Sequence, residues 1–118
     1  MRQQGLIEKG WGHELIFAST DRYCGKILHF NKDAKCSLHF HADKEESWYI
    51  LEGQFRVVWM NTSDCQISNT ILNVGDTWHN KVLVPHQLIC LEAGRILEVS
   101  SPDSIEDNYR IMPGDSQL

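Results

Sequence analysis

CSLHFHADKEESWYILEG, running from Cys36 to Gly53, holds the pattern from which the rest of the chain can be read. On an extended backbone successive side chains point to opposite faces, so His39 and His41 share one face while Leu38 and Phe40 take the other. The polar stretch Ala42-Asp43-Lys44-Glu45 then turns the chain, and the apolar run Trp48-Tyr49-Ile50-Leu51 starts a second strand with Glu46 at its entry. Such a hairpin brings a carboxylate back beside two imidazoles. A third imidazole, His86, follows downstream in VLVPHQL. Neutral imidazole nitrogens with one carboxylate oxygen suit a single divalent ion of Zn, Mn, Fe, Co or Ni, and the Irving–Williams order leaves the choice among them open.

Outward from this stretch the chain reads as short β-rich runs. Residues 14–19, 26–30, 37–41, 48–52, 55–60, 67–74, 81–84, 87–91 and 95–100 are rich in Ile, Val, Leu, Phe and Trp and predict strands. The breaks fall on turn chemistry: Asn31-Lys32-Asp33, Glu52-Gly53, Asn61-Thr62-Ser63-Asp64, Gly75-Asp76 and Ala93-Gly94. No stretch has the period of a long amphipathic helix, and no internal repeat or low-complexity tract is present. Regular strand spacing predicts an all-β antiparallel sandwich or barrel. At 118 residues the chain makes one domain with one core.

Composition narrows the partners. A net charge of -5 with no basic run argues against a nucleic-acid surface, which relies on clustered Lys and Arg. No apolar run approaches the roughly 20 residues that span a bilayer, and MRQQGLIEKG lacks the apolar core of a secretory signal, which predicts a soluble, cytoplasmic protein without a membrane partner. Cys24, Cys36, Cys65 and Cys90 form no C-x-x-C pair, so free thiols are expected rather than a thiolate zinc site or a redox motif.

Several stretches carry a family resemblance. His39-x-His41-x4-Glu46-x6-Gly53 resembles the first cupin motif, and Gly75-Asp76 with Pro85-His86 resembles a shortened second one. Lys9-Gly-Trp-Gly-His-Glu-Leu-Ile-Phe17, Tyr23-Cys-Gly-Lys-Ile-Leu-His29, Ser37-Leu-His-Phe-His41, Glu98-Val-Ser-Ser-Pro102 and Asp107-Asn-Tyr-Arg110 are similar to small sugar cupins related to type II mannose-6-phosphate isomerases. The resemblance implies a double-stranded β-helix, the cupin jelly-roll barrel, spanning all 118 residues as a single domain. Its core would cover about 12–101, with an N-terminal arm 1–11 and a polar tail 102–118 packed as an arm or a helix turn. It also implies His39, His41, Glu46 and His86 as metal ligands.

The chain departs from the motif where His86 directly follows Pro85, which makes His79 a rival. His86 is preferred because Val82-Leu83-Val84-Pro85 reads as the entry to a strand on which His86, Leu88 and Cys90 share a face, whereas Trp78-His79-Asn80 reads as part of the turn after Gly75. Glu45 rivals Glu46, and the spacing to Gly53 and strand alternation both favour Glu46.

Inward residues near the ligands of a barrel form a pocket, for which Lys26, Trp48, Arg56, Trp59 and Arg110 are the substrate-binding candidates. Lys and Arg donors beside an aromatic wall suit a sugar or sugar phosphate. The leading expectation is a metal-dependent, mannose-6-phosphate isomerase-like enzyme, with Glu98, His29 or Glu52 as the base that moves a proton. The alternatives are an iron-dependent dioxygenase and a cupin that binds a carbohydrate or metabolite without turnover. Trp11-Gly12-His13 is expected to cover a barrel edge, and a homodimer is the expected assembly.

Overall fold

β-Branched and aromatic residues at alternate positions build nine strands in the computed structural model, which describes residues 4–118. They are β1 Gly5–Lys9, β2 Gly12–Ser19, β3 Cys24–Phe30, β4 Leu38–Phe40, β5 Glu46–Met60, β6 Ile67–Leu72, β7 Thr77–Asn80, β8 His86–Ser100 and β9 Tyr109–Met112, with a 3-10 turn at Asp115–Gln117. All belong to one curled sheet in the order β1-β2-β3-β8-β4-β9, with β5 joining β8 to β6 and β7. Every pairing is antiparallel. The all-β barrel architecture expected from the strand pattern is the one observed. No helix among the described residues is long and apolar enough to cross a membrane.

Strand β8 organises the molecule. Its second half lies between β3 and β5, and its first residue, His86, lies opposite His39 of β4. Leu28, Ile96 and Ile50 align across three neighbouring strands, and Phe55 faces Cys90 while Val57 faces Leu88. All seven are buried, so the inner face is a continuous apolar layer. Trp11 stacks on Phe30 at 4.2 Å between ring centres, and Phe30 meets Phe55 edge-on at 5.5 Å. On the outer face Leu6, Leu15, Ile27, Leu97 and Tyr49 form one transverse row across β1, β2, β3, β8 and β5.

Three expectations are corrected. Residues 48–52 and 55–60 form one strand, as do 87–91 and 95–100, so Glu52-Gly53 and Ala93-Gly94 are bends and not turns. β5 and β8, each 15 residues long, stay paired through the bend with shifted register. Gly53 takes φ 81°, and a Cβ on Gly94 would collide with the Glu52 carbonyl oxygen, so two facing glycines let the paired strands fold over together.

The second correction exchanges two neighbours. Residues 77–80 are strand β7, whereas 81–84 form a turn with Leu83 at φ 65°. Trp78 gains a cross-strand partner in Trp48, while Val82 and Leu83 find no sheet to join and stay exposed despite their β propensity. Thirdly, residues 5–9 of the expected arm pair with β2 of the same chain, and Trp11 enters this chain's own core. Residues 1–3 of that arm lie outside the described residues.

Gly94→Ala is expected to lower the stability of unfolding by about 1–3 kcal/mol, because the clash is with backbone that cannot swing away. Urea unfolding followed by tryptophan fluorescence measures it.

Candidate metal centre

Three imidazoles converge from separate parts of the sheet. His39 lies on β4, His41 just beyond it, and His86 opens β8; one ring nitrogen from each lies within 4.8 Å of the others. Each ring is fixed from behind by a backbone carbonyl. Nδ1 of His39 donates to Ser37 O at 2.8 Å, Nδ1 of His86 to Val84 O at 3.0 Å, and Nδ1 of His41 to Asp107 O. A carbonyl only accepts, so Nδ1 carries the proton and Nε2 turns its lone pair toward the centre. Burial, reinforced by the neighbouring His86, pushes His39 down to about 3, and burial also lowers His41. Both rings are therefore neutral at ordinary pH, as metal ligation requires.

Glu46 enters from the first position of β5. Its Oε1 lies 2.9 Å from His86 Nε2, and that buried nitrogen makes no aligned hydrogen bond. With the proton on Nδ1, the short contact sets a lone pair against a carboxylate oxygen. A cation facing both atoms turns this repulsion into coordination, so the residues fit a divalent metal with three nitrogen donors and an oxygen. Asn80 Nδ2 donates to Oε1 at 3.2 Å and Lys44 Nζ lies 3.2 Å from Oε2. Burial favours the neutral acid, but the Lys44 ammonium outweighs it and holds Glu46 well below the usual carboxylate range. The two rivals lie elsewhere: His79 Nε2 meets Glu45 Oε1 on the outer surface, with both side chains exposed.

Asp107 closes the arrangement. Besides accepting a hydrogen bond from His41 Nδ1–H on its carbonyl, it accepts backbone N–H groups of Ala42 at 2.7 Å, Asp43 at 3.2 Å and Lys44 at 2.9 Å on its carboxylate. The loop between His41 and Glu46 thus wraps a buried anion. Asp107→Ala is expected to cost about 1–3 kcal/mol of stability and to weaken metal binding about 10–100-fold. Thermal melts and calorimetric metal titration check the two effects separately.

A cavity of about 300 Å3 opens onto His39, His41 and Glu46. Trp11, Phe30 and Trp48 supply aromatic wall, and Glu14, Lys26, Lys44, Glu98 and Asp103 supply charge. Lys26 Nζ pairs with Asp103 at 2.8 Å and Glu14 at 3.7 Å. Lys44 Nζ reaches Glu46 at 3.2 Å, Glu98 at 3.3 Å and Asp103 at 3.4 Å. Burial alone lowers both lysines, but Glu98 and the other carboxylates prevail, raising Lys26 and holding Lys44 well above its ordinary value. Trp48 Nε1 donates to Glu98 Oε1 at 3.0 Å. Burial and the nearby Glu46 charge raise Glu98 above the usual carboxylate value, against the pull of Lys44 and Lys26.

The structure sorts the remaining candidates. Lys26, Trp48, Glu98 and Arg110 line the cavity, Arg110 from an exposed position on β9. Arg56 points to solvent from β5, and Trp59 packs against the core beside Trp78 at 5.9 Å. His29 stacks on His13 at 4.7 Å, and Glu52 pairs with Arg95 at 2.6 Å, both outside the cavity. Lys44, Asp103, Glu14 and Asp107 were not singled out as site residues. Strand alternation points to one of them, since Glu14 shares the inward face of β2 with Gly12 and Ile16.

No protein-family model matches the sequence, and no curated protein matches it. Among solved structures, KdgF from Halomonas sp. superposes with a TM-score of 0.69 at 19% identity, over 80% of this chain and 81% of that one. An oxalate decarboxylase, studied for a structural element that modulates proton-coupled electron transfer, gives a TM-score of 0.80 at 17% identity over 92% of this chain. The chain has the cupin fold. Bacillus subtilis oxalate decarboxylase, studied for the EPR fine structure of its Mn(II) centres, gives 0.76 at 19% identity over 89% of this chain. This chain spans only 30% and 29% of the two oxalate decarboxylase chains. At such identities the likeness is one of fold.

Proposed function

We propose that this cupin is a divalent-metal-dependent enzyme that moves a proton between adjacent carbons of a small hydroxylated carbonyl compound, an isomerase-like activity on a sugar or sugar phosphate. His39, His41, His86 and Glu46 are its metal ligands. A cation bound by them supplies Lewis-acid polarisation of the substrate carbonyl.

The observation that carries this reading is Glu98. It is a buried carboxyl group in the same cavity as the imidazoles, linked to Glu46 through Lys44, and its elevated pKa brings it closer to the range in which a carboxylate can take up and return a proton. Trp48 Nε1 fixes one of its oxygens and Lys44 the other, so the group is oriented before substrate arrives. Trp11, Phe30 and Trp48 give an apolar wall against which a sugar ring can lie while water is kept out. His29 and Glu52, outside the cavity, take no part in this scheme.

The test is to load the protein with each of Zn, Mn, Fe, Co and Ni and to incubate it with aldoses, ketoses and their phosphates in D2O. Proton NMR then shows whether deuterium enters the carbon next to the carbonyl. Exchange with any of them supports the reading. Oxygen consumption without exchange points to a dioxygenase, and tight binding without either points to a binding cupin.

The proposed assembly is a homodimer. The transverse apolar row on the outer face supports it, since Leu6 is 61% exposed, Leu15 41% and Tyr49 43%, with Phe17 and Val99 exposed beside them.

A further inference from the structure

Four cationic side chains line the cavity: Lys9, Lys26, Lys44 and Arg110. The two lysines deepest in the charge network are committed, Lys26 to Glu14 and Asp103, Lys44 to Glu46, Glu98 and Asp103. Their ammonium groups are neutralised before any ligand arrives. Lys9 and Arg110 have no carboxylate within 4.0 Å among the described residues.

Arg110 is the better placed of the two. It lies directly across the β4–β9 ladder from His39, and residues so paired stand on one face with Cβ atoms about 5 Å apart. Arg110 therefore lines the cavity from beside a proposed metal ligand. Asn108, two positions earlier, lines the same cavity, and its Oδ1 is buried without any hydrogen-bond partner. A buried acceptor left unpaired costs free energy, which a donor on a bound ligand recovers.

We infer that Arg110 reads the charge of the substrate, receiving an oxyanion such as a carboxylate or phosphate, while Asn108 accepts a hydrogen bond from a neighbouring hydroxyl. The ligand class is thus a hydroxylated acid or a sugar phosphate and not a neutral sugar. A guanidinium fork matches either oxyanion in two-point geometry, which an ammonium does not. The inference rests on the reading of this cavity as the substrate site, and its selectivity comes from one exposed arginine and not from the buried lysines.

The test is made on metal-free protein, so that an anion cannot gain affinity from the metal. Isotope-labelled wild type, Arg110→Gln, Arg110→Lys and Asn108→Ala are titrated by NMR with glucose, gluconate and glucose 6-phosphate. Wild type is expected to bind at least one of the two anions about tenfold or more tightly than glucose, and the favoured anion identifies carboxylate or phosphate. Arg110→Gln abolishes the preference, Arg110→Lys retains part of it, and Asn108→Ala weakens binding of the favoured anion. Equal or undetectable affinity of wild type for all three ligands overturns the inference, as does a preference that survives in Arg110→Gln. Deuterium exchange is scored separately, so an anion preference without exchange keeps this site and discards the isomerase.

Discussion

Replacing His86 by alanine is expected to strip the protein of divalent metal. The ring is 1% exposed, its Nδ1 is tied to Val84 O, and its Nε2 faces Glu46 Oε1 at 2.9 Å, so no solvent-exposed group can swing in to replace it. Partners that merely orient ligands are worth about 10–100-fold in affinity, and loss of a ligand should exceed that range. His79→Ala is the matched control and leaves metal content unchanged, because His79 is turned outward and paired with Glu45. Elemental analysis after dialysis against a weak chelator gives the stoichiometry. Because an alanine at a fully buried site also creates a void, the half-buried His39→Ala is measured beside it, with circular dichroism to show that both variants fold. Retention of metal by His86→Ala together with its loss from His79→Ala would reverse the assignment.

Glu98→Gln is expected to lower proton exchange by about 10²–10⁴-fold while leaving bound metal in place. Glutamine keeps the shape and one acceptor oxygen, enough for Trp48 Nε1 but not for Lys44 Nζ as well, so what disappears is the ability to carry a proton together with one contact to Lys44. The sign of the pH dependence follows from the direction of the shift. Glu98 is raised above the usual carboxylate value, and its basic form is the ionised one. In wild type kcat/KM should therefore rise with pH through that elevated pKa. Residual exchange in Glu98→Gln should lack this limb. An unaltered pH profile in the variant would assign the proton transfer to another group.

Much of the site was legible because two simple periodicities govern it. Alternation of side chains placed His39 and His41 on one face and separated Glu46 from Glu45, and the structure keeps both relations. The same rule put His86 with Leu88 and Cys90, all three buried. Misreadings arose where a local signal competed with a distant partner. Val82, Leu83 and Val84 have strong strand propensity but no neighbouring strand, while Trp78 and Asn80 acquire theirs from β5, 30 or more residues earlier in the chain. Gly53 and Gly94 looked like turns for the same reason: a glycine marks unusual backbone without saying whether the paired strand bends with it.

Lys44 was hidden by its setting. In a polar run between two strands a lysine ordinarily lies in solvent, and the carboxylates of Glu98 and Asp103, more than 50 residues later, join Glu46 in making a buried position tenable. Asp107 was hidden too, since its role is to receive three backbone N–H groups from a loop more than 60 residues away.

That distant clasp sets an order of events during biosynthesis. The histidine pair and Glu46 leave the ribosome long before Asp107, and synthesis advances at about 5–20 residues per second. For the several seconds in between, His41 has no carbonyl to fix its ring, and the 42–44 amides have no anion to wrap. Any metal held by His41 and Glu46 would therefore be secured only after Asp107 has been made and has folded back onto the 42–44 loop.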